Sequence, residues 1–151
     1  MKKFLNFAVM ALVAAMSFVA CTEKTNEPLS IEGKAWSFEW AIMDNAPCVF
    51  DFGVNEPGTA HLLVDMFVFF EDAVLGESYY PYFSGNYTIT EKTATSGSIS
   101  IVDPADPSAA AVVFEYSDLT KNTVKLTNAD YGFDNTVLTL ISKKPVIADL
   151  E

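Results

Sequence analysis

The sequence predicts an all-β domain of about eight short antiparallel strands, arranged as an up-and-down barrel or, alternatively, as a β-sandwich. Apolar and polar residues alternate over many short segments, and turn signals rich in Gly, Pro, Asn and Asp separate these segments. In addition, no segment has a convincing helical period, and the connections are too short for parallel crossovers. We favour the barrel because closure removes the exposed strand edges that promote aggregation.

The first predicted strand shows the alternation most clearly. Within residues 33–42, the side chains of Trp36, Phe38 and Trp40 share one face, and the positions between them are polar. This pattern is typical of a half-buried strand. The other clear strands are predicted at residues 48–52, 85–90, 95–102, 111–116, 123–127 and 136–142.

Two further segments are less regular. Residues 59–70 are almost continuously apolar, and their β-branched and aromatic side chains favour a buried strand over a buried helix. Residues 79–83 are aromatic but contain Pro81, which limits them to an edge strand or a broken strand. The predicted β-domain therefore covers residues 31–143, and we expect residues 144–151 to form a loose C-terminal tail.

The N-terminal residues have the pattern of a bacterial lipoprotein signal peptide. Lys2 and Lys3 precede an apolar run of roughly 16 residues, which is shorter than a membrane-spanning helix. Ala20, a small residue, directly precedes Cys21, as in a lipobox, where the peptidase cuts before a lipid-modified cysteine. We predict that residues 1–20 are removed and that Cys21 carries the lipid anchor. An ordinary secretory signal is the alternative.

Residues 21–30 are polar and contain Pro28, and they predict a tether that is too hydrophilic to pack. Similarity to Gram-negative lipoproteins implies that Thr22, directly after the cysteine, directs the protein to the outer membrane of the cell envelope. The predicted partner of this end of the chain is thus the membrane, through lipidated Cys21.

The charge balance excludes one broad class of function. The chain contains nine lysines, no arginine and twenty acidic residues, and removal of the signal peptide takes two of the lysines away. Binding to nucleic acid requires clustered cations that neutralise phosphates, so we do not expect a nucleic-acid partner. A strongly acidic domain is instead soluble and is repelled by anionic surfaces.

The order of the predicted strands resembles that of the lipocalin-like small lipoproteins of the Bacteroidetes group. The resemblance depends on Gly33 and Trp36 at the first strand, behind a lipobox, and on later segments at residues 85–89, 122–126 and 138–141. The lipocalin pattern has one residue between Gly and Trp, whereas this chain has two. What the resemblance implies is a barrel that holds one small apolar molecule.

Aromatic side chains are the main candidates for a binding site. They are suited to lining an apolar pocket or to stacking on sugar rings. The alternative is a filled core, because an eight-stranded barrel is just wide enough for side chains to fill it. The candidate ligand-binding residues are Trp36, Phe38, Trp40, Phe67, Phe69, Tyr80 and Tyr82.

The sequence offers little evidence of catalysis. His61 is the only histidine, and no cationic residue lies close to Cys48 in the sequence to activate its thiol. Residues 128–135 resemble a calcium loop only loosely, and a polar hairpin loop is the better interpretation. We therefore predict a protein that is not an enzyme and that has no cofactor and no metal.

Two functional hypotheses follow from these observations. The first is a lipid-anchored envelope protein that binds a small apolar or aromatic-stacking ligand in, or at the mouth of, its barrel. The second is a structural or interaction module, in which a filled barrel presents its loops to a protein or glycan partner. The volume of the apolar cavity distinguishes them, since ligand pockets usually measure roughly 300–1,000 Å³.

The lipid anchor is testable by metabolic labelling with radioactive palmitate in a Gram-negative host. We expect the full chain to incorporate label and Cys21→Ser to lose it entirely, because the thiol is the site of acylation. Cys48→Ser is the matched control and should remain labelled. Continued labelling of Cys21→Ser would contradict the prediction.

Overall fold

The computed structural model describes residues 27–150. It confirms the predicted fold: eight antiparallel strands follow one another around a closed barrel, and the last strand pairs with the first. The predicted signal peptide (residues 1–20), Cys21 and most of the predicted tether lie outside the described residues. None of the helical segments within residues 27–150 has the length and apolar character needed to cross a bilayer.

The strands are connected by turns and by three short 3-10 segments, Ala41–Met43, Met66–Val68 and Ala129–Tyr131. The strands are β1 (Lys34–Trp40), β2 (Ala46–Phe52), β3 (Thr59–Asp65), β4 (Tyr79–Thr93), β5 (Ser96–Val102), β6 (Val112–Ser117), β7 (Thr123–Asn128) and β8 (Phe133–Ile141).

Strand β3 is shorter than the sequence predicts. It ends at Asp65, where the carboxylate accepts hydrogen bonds from the backbone N–H groups of Phe67 (2.9 Å) and Gly76 (2.7 Å). The first bond begins a 3-10 turn, and the second holds the two ends of the connection to β4 together. Residues 66–70 are therefore a turn and the start of a loop, so their prediction as strand is wrong.

Strand β4 is longer than predicted, and it joins residues 79–83 to the segment that follows them. Its register against β3 shifts between Phe83 and Pro81, so that Tyr82 is an extra residue in a β-bulge. Pro81 is tolerated because β4 pairs with β5 only from Asn86 onward, which leaves one side of the strand free at the proline.

The interior of the barrel is filled by aromatic side chains. Phe50 stacks on Phe52 with ring centroids 4.5 Å apart, and Phe114 makes edge contacts with Phe50 and Phe133 at 5.2 Å. Trp36, Phe38 and Trp40 are buried in the same core. The side chains predicted to line a pocket in the first strand therefore form the packed interior, which corrects the expectation that they face a ligand.

The C-terminal residues, which we expected to form a loose tail, are attached to the outside of the barrel. Tyr79 donates its N–H to Val146 O (2.9 Å), and its carbonyl accepts the N–H of Ala148 (2.8 Å). Ile147 packs against the outer cluster, which consists of Ala35, Val49 and Leu63 on the outer faces of β1, β2 and β3.

A buried carboxylate near the end of β2 supports this attachment by fixing the turn between β2 and β3. Asp51 accepts hydrogen bonds from the backbone of Val54 (2.7 Å) and from the backbone and side chain of Asn55 (3.1 and 2.8 Å). The oriented Asn55 amide then donates to Pro145 O at 3.0 Å. The satisfied carboxylate thus fixes both the turn and the path of the C-terminal segment.

The two tryptophans provide a test of the core. The Trp40 indole N–H donates to Tyr131 O (2.8 Å), whereas the buried Trp36 indole N–H has no acceptor among residues 27–150. Both changes to Phe remove similar volume, but Trp40→Phe also leaves a carbonyl unpaired. We expect Trp40→Phe to reduce the free energy of unfolding by about 1–2 kcal/mol more than Trp36→Phe. Urea denaturation of both variants measures this difference, and equal losses would contradict it.

Candidate functional site

The up-and-down order gives the barrel two distinct ends. Four connections, β1–β2, β3–β4, β5–β6 and β7–β8, lie at one end, which we call the mouth end. Residues 27–33 precede β1 and lie at the opposite end, which we call the tether end. Leu29 packs against the core there and Ile31 is buried, so packing begins within the last residues of the predicted tether.

An apolar depression of about 370 Å³ lies at the mouth end. The β1–β2 turn, the β3–β4 loop, the start of β4 and the C-terminal segment all contribute to it. We call this depression the mouth pocket, and its lining residues are Met43, Phe69, Phe70, Tyr80, Tyr82 and Leu150.

Local structure positions each aromatic ring of the mouth pocket. The turn that Asp65 begins continues through hydrogen bonds from the N–H groups of Phe69 (3.0 Å) and Phe70 (3.1 Å) to Met66 O. Phe69 then meets Tyr80 edge to face, with ring centroids 5.6 Å apart. These contacts hold the rings of the loop against the first residues of β4.

The bulge in β4 connects the mouth pocket to the core. Tyr82, the extra residue, makes a perpendicular contact with Trp40 at a centroid distance of 4.9 Å. Trp40 is itself buried and hydrogen-bonded, so it is a fixed support beneath an exposed ring. The pocket is thus built on the filled core rather than opening into it.

These aromatic rings are unusually exposed for side chains of their size. Phe70 is 51% exposed, Tyr82 49% and Phe69 45%. Contiguous exposed apolar surface on a soluble domain commonly marks a binding site. Phe67 is also exposed, beside the pocket but outside its lining.

The structure divides the predicted ligand-binding residues into two groups. Phe69, Tyr80 and Tyr82 lie together in the mouth pocket, with Phe67 nearby, whereas the three aromatic residues of β1 belong to the core. Sequence reasoning missed Met43, Phe70 and Leu150. Phe70 was recognisable from its position beside Phe69, but Met43 and Leu150 reach the pocket only through the tertiary fold.

The chemistry of the mouth pocket is that of an apolar, ring-binding surface. Its only polar side-chain atoms are the hydroxyls of Tyr80 and Tyr82, since the other lining residues are aliphatic or aromatic. Glu71 and Asp72 follow Phe70 and are exposed, so charge near the pocket is negative. This arrangement favours a neutral or positively charged ligand with an apolar face.

The neighbours of His61, on the outer face of β3, have structural roles. Its Nδ1 lies 2.7 Å from Ser84 Oγ, and Asp51 is its partner in the register of β2 and β3. Both carboxylate oxygens of Asp51 already accept hydrogen bonds from Val54 and Asn55. The three residue types of a catalytic triad are therefore neighbours, but the carboxylate is committed to the turn.

Within residues 27–150, no three His, Cys, Asp or Glu side chains are grouped so that they could hold a metal ion. The segment that loosely resembles a calcium loop contains a 3-10 turn, in which the Asn128 side chain accepts the N–H of Tyr131 at 3.1 Å. Its side-chain oxygen thus caps the turn, and Gly132 ends it in the left-handed conformation (φ 69°).

The chain matches no protein-family model, and comparisons with curated proteins and with solved structures found no match either.

Cys48 provides a test of how tightly the interior is closed. Burial, followed by the negative charge of Asp65, raises the pKa of its thiol to about 12. Because the thiolate is the reactive form, we expect Cys48 in the folded chain to react with Ellman's reagent at least roughly 100-fold more slowly than in the unfolded chain near pH 8.

The same shift has a consequence for stability. The folded thiol keeps its proton up to a pH of about 12, whereas an unfolded thiol loses it above roughly 8.5. Its contribution to stability is therefore present at neutral pH and is lost as the pH rises between these values.

Cys21→Ser makes Cys48 the only thiol for the measurement. Similar reaction rates with and without guanidinium chloride would show that the interior is open.

Proposed function

We propose that this protein is a lipid-anchored, non-enzymatic binding protein of the cell envelope, held at the outer membrane by Cys21. Its filled barrel is a rigid support, and the mouth pocket binds an apolar or aromatic group. The observation that carries the proposal is the cluster of exposed rings, Phe69, Phe70, Tyr80 and Tyr82, on one end of a closed barrel.

The size and shape of the mouth pocket favour a partly enclosed ligand. Its volume of about 370 Å³ is at the lower end of the range for small-molecule sites. The buried Trp40 beneath Tyr82 prevents the ligand from entering the barrel. A planar or aliphatic group therefore lies across the rings, with its remaining surface toward solvent.

The end at which the chain enters the barrel supports binding away from the membrane. The chain enters the barrel at the tether end, and Leu29, which packs on the core, follows Cys21 by only eight positions. Such a segment spans at most about 28 Å when extended. A lipid on Cys21 would hold the tether end near the bilayer, and the mouth pocket would face away from it.

A second candidate function is an interaction module, in which the bound group belongs to a protein partner. Phe67, two residues before Phe69, is exposed outside the pocket lining, and a protein surface would cover it better than a small ligand. A glycan is less favoured, since the lining residues supply only two hydroxyl groups for hydrogen bonds.

Binding of N-phenyl-1-naphthylamine, a neutral aromatic dye whose fluorescence rises in apolar sites, tests the mouth pocket. We expect residues 22–151 to bind the dye, and Phe69→Ser and Tyr82→Ser to weaken binding about 5- to 30-fold, because each removes a ring contact of roughly 1–2 kcal/mol.

Val113→Ser is the control, because Val113 is an exposed apolar residue of β6 outside the mouth pocket. It should leave dye binding unchanged. Equal weakening by all three variants, or no binding by the unaltered domain, would contradict the proposal. Mass spectrometry under native conditions, on protein purified from its own host, would identify a natural ligand that remains bound.

A further inference from the structure

The junction between β6 and β7 pairs at only three positions, and so does the junction between β1 and β8, which we call the seam. These strands pair at three positions, Ala35 with Ile141, Trp36 with Leu140 and Ser37 with Thr139. On its other side, β1 pairs with β2 at seven positions, up to Trp40. Residues 38–40 of β1 and 133–138 of β8 therefore have no strand partner across the seam.

Side chains hold the two strands together where their backbones part. On the inside, the rings of Phe38 and Phe133 lie 5.1 Å apart. Toward the mouth end, the Trp40 indole donates to Tyr131 O. The core thus closes the seam from the inside, while the backbones of these residues have no strand partner across it.

A groove of about 730 Å³ follows the seam on the outer surface. The groove extends from Thr136, Val137 and Thr139 of β8, across Ser37 and Glu39 of β1, to Pro47 and Val49 of β2. Leu75 and Gly76 of the β3–β4 loop form its outer wall. Val137 is 52% exposed and Leu75 58%, so the groove presents apolar contacts beside its polar ones.

We propose that this seam groove binds an extended segment of a partner protein, which adds as a strand to the free edge of β1 or β8. An unpaired edge offers backbone N–H and C=O groups that another strand satisfies. The Ser37 hydroxyl already donates to Thr139 O (3.3 Å), and the hydroxyls of Thr136 and Thr139 supply further hydrogen bonds along the groove. Val137 and Leu75 contact the alternate side chains of the added strand.

The charge of the groove identifies the segment as basic. The charged side chains of its lining are two carboxylates, Glu39 and Asp65, of which Glu39 is exposed, while Lys143 contacts the outer wall through Gly76 O (3.4 Å). Asp65 is buried and bound to backbone N–H groups, so Glu39 is the carboxylate that meets the partner. The excess of acidic residues over the whole chain also attracts a cationic segment.

The seam groove and the mouth pocket are separate sites. The β3–β4 loop lies between them, with Leu75 and Gly76 on the groove and Phe69 and Phe70 on the pocket. The lining sets of the two sites share no residue. Loss of dye binding at the mouth pocket therefore leaves the seam proposal unaffected, and the reverse also holds.

The test uses the full chain in detergent micelles and a capped, fluorescein-labelled hexapeptide of sequence KVTVKV. We expect the peptide to bind, as measured by fluorescence anisotropy. We also expect it to slow hydrogen exchange of seam-facing amides within residues 38–40 and 136–138 at least tenfold, because those amides gain backbone partners. A peptide of the same sequence with N-methylated valines should bind at least tenfold more weakly.

Two charge reversals provide the matched comparison. Glu39→Lys should weaken peptide binding at least fivefold, whereas Glu56→Lys, at an exposed position on the tether end, should change it less than twofold. The proposal is overturned if KVTVKV does not bind, if N-methylation has no effect, or if both reversals weaken binding equally. Protection confined to residues outside the seam would also overturn it.

Discussion

Closure of the barrel depends on its aromatic core more than on backbone pairing at its last junction. Beyond Ser37, β1 is joined to β8 by the contact between Phe38 and Phe133, and to the 3-10 segment before β8 by the hydrogen bond from Trp40 to Tyr131. An eight-stranded barrel is just wide enough for side chains to fill it. The packing that closes the barrel therefore also leaves no room for a ligand among those rings, and the proposed binding surfaces lie at its mouth and on its outside.

The carboxylate of Asp65 has the largest influence on those surfaces. By accepting the N–H groups of Phe67 and Gly76, it ends β3 and holds the two ends of the following loop. One part of that loop supplies Phe69 and Phe70 to the mouth pocket, and another supplies Leu75 and Gly76 to the seam groove. A single buried acid thus positions both proposed sites on a rigid support, as binding loops on scaffolds generally require.

The sequence led to a correct fold class because alternation and turn signals are local properties. The prediction was wrong at residues 66–70, where apolar character and β-branched side chains favoured a strand but the Asp65 carboxylate ended it. It also treated all aromatic residues alike as candidates for binding. Trp40 and Tyr82 touch each other, yet one belongs to the core and the other is half exposed. Side-chain type alone does not distinguish these environments.

The amino-acid sequence by itself determined the antiparallel β-architecture and the strong acidity, and it predicts a lipid anchor at Cys21. These features depend on composition and on neighbours within a few positions. Only the tertiary structure decided that the interior is filled, that Leu150 meets Met43 and Tyr80, and that β1 and β8 part beyond Ser37. Each of these depends on contacts between residues far apart in the chain, where packing geometry, and not local preference, sets the outcome.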